Sequence, residues 1–261
     1  MALSRFEAVL FDLDGTLLDT TQAILESFKY TIHHFAGRIP REEEIRPYMG
    51  LPLRDQFSIF LPGKEDEACR VYVEHNLSIH KDFVRPFPGA KYTLETLREK
   101  DVALALVTSK RCETATYGLL IAGIHGMFDA MVFYDDTTEH KPHPAPILKA
   151  IGLIADPEPC KSLLSETHIL VVGDSPTDIE AAKNAQMVLM GPPTLYGNQT
   201  CPENCGNSAS VCFGKKERTQ VVIKSAGVTY GAYPKEVIEK TRPDYILTDI
   251  TQVIELCGFD H

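Results

Sequence analysis

The sequence predicts an α/β fold, a mostly parallel sheet with helices on both faces, with an α-helical cap inserted near its amino end. Two observations carry this. Four short apolar runs, AVLFDLD (8–14), VALALVTSK (102–110), AMVFYDD (130–136) and ILVVGDS (169–175), recur between longer segments of helical period. Such dense Val, Ile, Leu and Phe runs suit strands buried on both faces, where no residue meets water. The second observation is that residues 19–85 break this alternation and read as helix throughout.

In chain order, the first run is followed by TTQAILESFKYTIHHF, REEEIRPYMGLPLRDQFSIFLPG and EDEACRVYVEHNLSIHKDF, and the helical pattern ends at the Pro-Gly stretch Pro86 to Gly89. Residues 19–85 are therefore assigned to the cap, and residues 1–18 and 86–261 to the core. KYTLETLREK, ETATYGLLIAGI and APILKAIGLI place apolar residues at helical spacing between the later strands, giving the β-α-β-α order of a doubly wound sheet.

Composition narrows the partners. With 26 Lys and Arg against 36 Asp and Glu, the 261-residue chain has a formal charge of −10, without acidic or basic blocks, which argues against a nucleic-acid partner. No stretch of 18 apolar residues occurs, and the first apolar run is too short for a signal-peptide core, so a cytoplasmic protein without a membrane partner is expected, as monomer or homodimer. The seven cysteines fit reduced thiols. Cys201, Cys205 and Cys212 are close enough to seed a zinc site, but no fourth Cys or His lies nearby, and a loop of free thiols is the expectation.

Ligands of open α/β sheets bind beyond the carboxyl ends of the strands. Here those ends read DLDGT, TSK and GDS, with EHKPHP beyond the third strand. Asp12 and Asp14 project to one side, and Gly15 permits the tight turn that lets both face one pocket. Two carboxylates about 4 Å apart repel by roughly 4 kcal/mol at an effective dielectric near 20. A proton on one acid, a divalent cation, or both would offset this. GDSPTD adds Asp174 at a strand end and Asp178 in the first helical turn, with Ser175 as N-cap and Pro176 at the first helical position. An oxygen-only donor set suits magnesium rather than zinc.

A carboxylate beside such a cation can attack phosphorus and form an aspartyl-phosphate, while a second acid protonates the leaving oxygen and later deprotonates water. Thr108 and Lys141 can hold the phosphoryl oxygens, with Ser109 and Lys110 as the competing donors.

DLDGT, VTSK, KPHP and GDSPTD, in this order, closely resemble the motifs of the haloacid dehalogenase-like hydrolase superfamily. The resemblance implies a modified Rossmann core with a helical cap, and a Mg2+-dependent phosphatase. It implies Asp12 as nucleophile, Asp14 as general acid/base, and Thr108 and Lys141 on phosphate. Asp174, supported by Asp178, would hold the metal with Asp12 and Asp14. Gly15, Thr16, Ser109 and Lys110 complete the expected phosphate-binding set. Dehalogenase members lack the second aspartate, so Asp14 argues for phosphoryl chemistry.

The cap and its GLPL turn, Gly50 to Leu53, look like phosphoglycolate phosphatase and its pyrophosphatase relatives, with Arg54 the candidate substrate contact. The expected substrate is a small phosphorylated metabolite, 2-phosphoglycolate favoured. Inorganic pyrophosphatase, sugar phosphomutase and a silent phosphate-binding protein are the alternatives.

Against this family pattern, residues 188–224 read as an irregular insertion, because SAGVTYG, expected directly after the helix DIEAAKNAQM, appears only at 225–231. VLMG at 188–191 is an alternative claimant for that strand.

Overall fold

A computed structural model of the chain describes residues 5–155, 166–190 and 220–259. Strand β1 (Ala8–Phe11) leads into a short hairpin strand, β2 (Leu18–Asp19). Four helices follow: α1 (Thr21–Ala36), α2 (Glu42–Ile45), α3 (Leu53–Phe60) and α4 (Glu65–Phe83). The chain returns through β3 (Arg85–Pro86), then alternates: α5 (Ala90–Glu99), β4 (Ala103–Val107), α6 (Cys112–Ala122), β5 (Ala130–Val132), α7 (Ala145–Ala155), β6 (Glu166–Gly173) and α8 (Pro176–Met190). Strand β7 (Gln220–Val228), α9 (Lys235–Lys240), β8 (Tyr245–Leu247) and α10 (Gln252–Leu256) complete it.

The six long-range strands form one parallel sheet in the order β5-β4-β1-β6-β7-β8. Alternation along the strands explains the dense apolar runs. Val9, Phe11, Leu104, Leu106, Leu170 and Val172 pack into one buried cluster, while Ala8, Leu10, Ala105, Val107, Ile169 and Val171 pack into another. Both faces of the sheet are covered, so neither tolerates polar alternation.

The helical cap has its own apolar centre. The Phe28 ring of α1 lies tilted against that of Phe57, centroids 4.8 Å apart, and edge-on to that of Tyr72 at 5.2 Å, with Leu25, Ile32 and Ala68 around them. Helix α1 ends at Gly37, whose left-handed φ of 67° lets its N–H reach the His33 carbonyl. The two chains joining cap to core pair as an antiparallel ribbon, Leu18 with Pro86 and Asp19 with Arg85.

Two sequence expectations change here. VLM at 188–190 is the last turn of α8, and β7 pairs with β6 along its length, so SAGVTYG takes its strand in the sheet and VLMG does not displace it. Of the expected irregular insertion at 188–224, residues 188–190 belong to a helix and 220–224 to a strand, and 191–219 lie outside the described residues. Cys201, Cys205 and Cys212 lie outside the described residues.

Candidate active site

Three neighbouring strands of the sheet deliver the chemistry. Asp12, Thr108 and Asp174 each follow directly on the last residue of β1, β4 and β6, which lie side by side. Their backbones stay tied to the sheet: the Asp12 N–H donates to the Val172 carbonyl and the Thr108 N–H to that of Val132, both at 2.9 Å. Side chains placed this way inherit the rigidity of the core.

Lys141 joins them from the loop before α7 and is buried. Its ammonium donates to Asp12 Oδ1 at 2.7 Å, Asp178 Oδ1 at 2.5 Å and the Val107 carbonyl at 3.0 Å, so all three protons are used. Asp178, in the first turn of α8, also accepts from the Ser175 N–H and hydroxyl. Burial alone would lower the Lys141 pKa, but Asp12 and Asp178 outweigh it and hold the ammonium charged.

Asp12, Asp174 and Asp178 bring carboxylate oxygens within 4.8 Å of one another. Backbone without side chains makes the room. Gly15 has a φ of +84°, and a Cβ there would lie 2.1 Å from Asp174 Oδ2; a Cβ on Gly231 would lie 2.4 Å from the same oxygen. The Ala232 N–H donates to Asp174 Oδ2 at 2.7 Å.

Burial pushes the Asp12 carboxyl up to about 7 against the pull of Lys141, with Asp178 and Asp14 adding to the rise. Burial, then Asp12 and Asp178, holds Asp174 well above the usual carboxylate range, against the Ala232 N–H and Lys141. Four carboxylates on the crevice floor thus face two ammonium groups, Lys141 and Lys110. Every donor in the triad is a carboxylate oxygen, and the upward shifts of Asp12 and Asp174 mark acids crowded together in a buried place. That set fits a hard divalent cation.

The crevice opens under the cap as a cavity of about 90 Å3. Core residues Asp12, Asp14, Gly15, Thr108, Ser109 and Lys110 line one side. The Thr108 hydroxyl accepts the Lys110 N–H at 3.1 Å, which leaves its own proton to donate into the cavity. Ser109 Oγ is enclosed without a partner among the described residues.

The sequence from residue 9 to 191 matches the family model described as haloacid dehalogenase-like hydrolase. The chain is a haloacid dehalogenase-like hydrolase. It is 37% identical over 182 residues to the pyrophosphatase PpaX of Anoxybacillus flavithermus, covering 69% of this chain and 80% of that one. With the pyrophosphatase PpaX of Oceanobacillus iheyensis it shares 30% identity over 251 residues, 96% of each chain. Among solved structures, a haloacid dehalogenase-like family hydrolase from Streptococcus pneumoniae superposes with a TM-score of 0.69 at 22% identity, covering 97% of both chains. A "predicted phosphoglycolate phosphatase" from Haemophilus somnus 129pt does so with the same TM-score and identity, covering 98% of this chain and 99% of its own.

Within this hydrolase some expected site residues stand apart. Asp14 was expected among the metal ligands, yet it is not in the carboxylate triad: its side chain reaches the cavity but is paired to Lys110 at 2.9 Å. Thr16, expected on phosphate, does not line the cavity. The tight turn after Leu13 points it inward, where it is fully buried, and its carbonyl accepts the Tyr230 hydroxyl at 3.0 Å. Arg54 lines the cavity but is tied to Asp66 at 3.0 Å and more than half exposed.

Sequence reading missed Gln56, Tyr72 and Asn76 of the cap, and Arg111, Tyr134 and Tyr233 of the core, all in the lining. Tyr134 lies within the strand-end segment AMVFYDD and Arg111 directly follows VTSK, and those positions were the available signal. Among the described residues, no helix is long and apolar enough to cross a membrane.

Proposed function

We propose that this hydrolase cleaves a small phosphate compound through a phosphorylated Asp12, with Mg2+ as cofactor. The convergence of Asp12, Lys141, Asp174 and Asp178 from distant parts of the sequence into one buried cluster carries this reading. A sheet needs no such cluster for its stability.

In the first half-reaction a carboxylate oxygen of Asp12 bonds to phosphorus as the bond to the leaving oxygen breaks. Lys141 orients the nucleophile and partly offsets the burial that raises its carboxyl pKa. Lys110 now holds Asp14; an incoming phosphoryl group competes for that ammonium and frees Asp14 to take up a proton from solvent, which it then passes to the leaving oxygen. In the second half-reaction Asp14 takes a proton from water as the water attacks the aspartyl-phosphate, releasing phosphate and restoring Asp12. Thr108 and Ser109 donate to the oxygens that do not transfer. Asp12, Asp174 and Asp178 would hold the magnesium ion, which supplies positive charge to offset the crowded carboxylates and the phosphoryl oxygens.

Pyrophosphate is the substrate to test first and 2-phosphoglycolate second. The names of the curated relatives favour the former. Both are small and carry two anionic ends, in keeping with a cavity of about 90 Å3 lined by Lys110, Arg54 and Arg111 as well as Lys141. Purified protein with magnesium should release phosphate from at least one of them and fall silent with a chelator. Silence of the wild type on both and on a panel of small phosphate esters would overturn the reading, and an isomerised sugar phosphate without net release would turn it toward a mutase.

A further inference from the structure

The loop that follows β7 touches three parts of the molecule within four residues. Tyr230 donates its hydroxyl to the Thr16 carbonyl, on the turn that carries Asp14 and Gly15. The Ala232 N–H holds Asp174. Tyr233 then reaches the cap: its hydroxyl accepts the Gly50 N–H and donates to the Pro47 carbonyl, both at 3.2 Å. A phenol has one proton and can accept in return, so the two bonds together use its capacity without conflict.

The cap turn is seated closely. A Cβ on Gly50 would stand 3.1 Å from the Ser175 Cβ and 3.2 Å from the Tyr233 hydroxyl, so nothing larger than glycine fits there unless a neighbour yields. Gly50, Ser175 and Tyr233 all line the same cavity. A bulky leaving group would have to lift this turn off the core, breaking both Tyr233 bonds. A small one would not.

Building on the phosphatase reading above, the geometry points to Tyr233 as a positioning residue that seats the Pro47–Gly50 turn over the phosphoryl site and thereby sets the preference for small substrates. It touches no reacting atom. Its effect runs through cap closure, which excludes water and completes the cavity.

Tyr233→Phe keeps the ring and removes both hydrogen bonds. The kcat/KM ratio of pyrophosphate, or whichever small substrate the wild type turns over, to p-nitrophenyl phosphate should fall about thirtyfold, the scale expected for two net hydrogen bonds. A structural defect would lower both substrates together, and a parallel fall or an unchanged ratio would overturn the assignment. Gly50→Ala, which crowds the same contact, should shift the ratio in the same direction and serves if Tyr233→Phe folds poorly. Amide hydrogen exchange of the 47–51 segment gives a readout free of turnover: Tyr233→Phe should speed it, and unchanged exchange would refute the seating role. A wild type inactive on every ester would sink the phosphatase reading while leaving the exchange result to judge Tyr233.

Discussion

Lys141 on the crevice floor donates all three ammonium protons to buried acceptors, whereas Arg54 in the cap above it is more than half exposed and paired with a surface aspartate. The floor hangs on adjacent strand ends of a sheet buried on both faces. The cap holds together around its own Phe28 cluster and meets the floor through a few bonds to backbone, such as those of Tyr233. On the proposed function, chemistry sits on side chains anchored to a buried sheet, and substrate choice on cap helices that can reposition. Low local stability is a common property of elements that must open and close.

Substitutions on the two sides should therefore differ in kind. The largest effect belongs to Asp12→Asn, which should lower kcat by on the order of 10^4-fold or more, as removal of a nucleophile does, while circular dichroism stays unchanged. Lys141→Met should come next. It leaves Asp12 and Asp178 buried without their counter-ion and should destabilise the protein by about 3 kcal/mol in a urea titration. A wild-type-like midpoint would mean the floor is less tightly coupled than its geometry implies.

The pH dependence sharpens the same contrast. Asp12 titrates near 7 in the folded protein against 3.8 for an ordinary aspartate, so between those values the folded state holds a proton that the unfolded state has released. Metal-free protein should then lose stability as pH rises from about 4 toward 7. Asp12→Asn should flatten that fall, and magnesium should reverse it in the wild type; thermal melts with chelator or magnesium would read both. The smallest effect is expected in the cap: Arg54→Ala should raise KM by a few-fold, leave kcat near its wild-type value and hardly move the melting temperature, because exposed ion pairs contribute little. A kcat loss matching that of a floor substitution would erase the distinction.

The sequence made the floor far more legible than the cap contacts. Strands β1, β4, β5 and β6 announced themselves because burial on both faces leaves an unbroken apolar run, and their ends carry the polar residues that a core would not ask for. Hydrophobic density cannot by itself separate a strand from the end of a helix, which is why VLM at 188–190 looked like a rival strand when it closes α8. The inward turn of Thr16 and the pairing of Asp14 with Lys110 depend on side-chain directions that spacing does not encode. Tyr233 meets Gly50 across 183 positions, with no period or motif to mark it. Strand β8, YIL, is as short as β5 but less well covered, with Ile246 exposed, and it is not part of a longer apolar run such as AMVF.

The central claim is that Asp12 itself carries the phosphoryl group during turnover. Acid-quenching the wild type during turnover with magnesium and its substrate, reducing the protein with borohydride and mapping peptides by mass spectrometry tests it directly. Conversion of the aspartate at position 12 to homoserine, lost without substrate and absent in Asp12→Asn, is the predicted result. An unmodified Asp12 under conditions where turnover is demonstrably in progress, or labelling of Asp14 or Asp174 in its place, would contradict it.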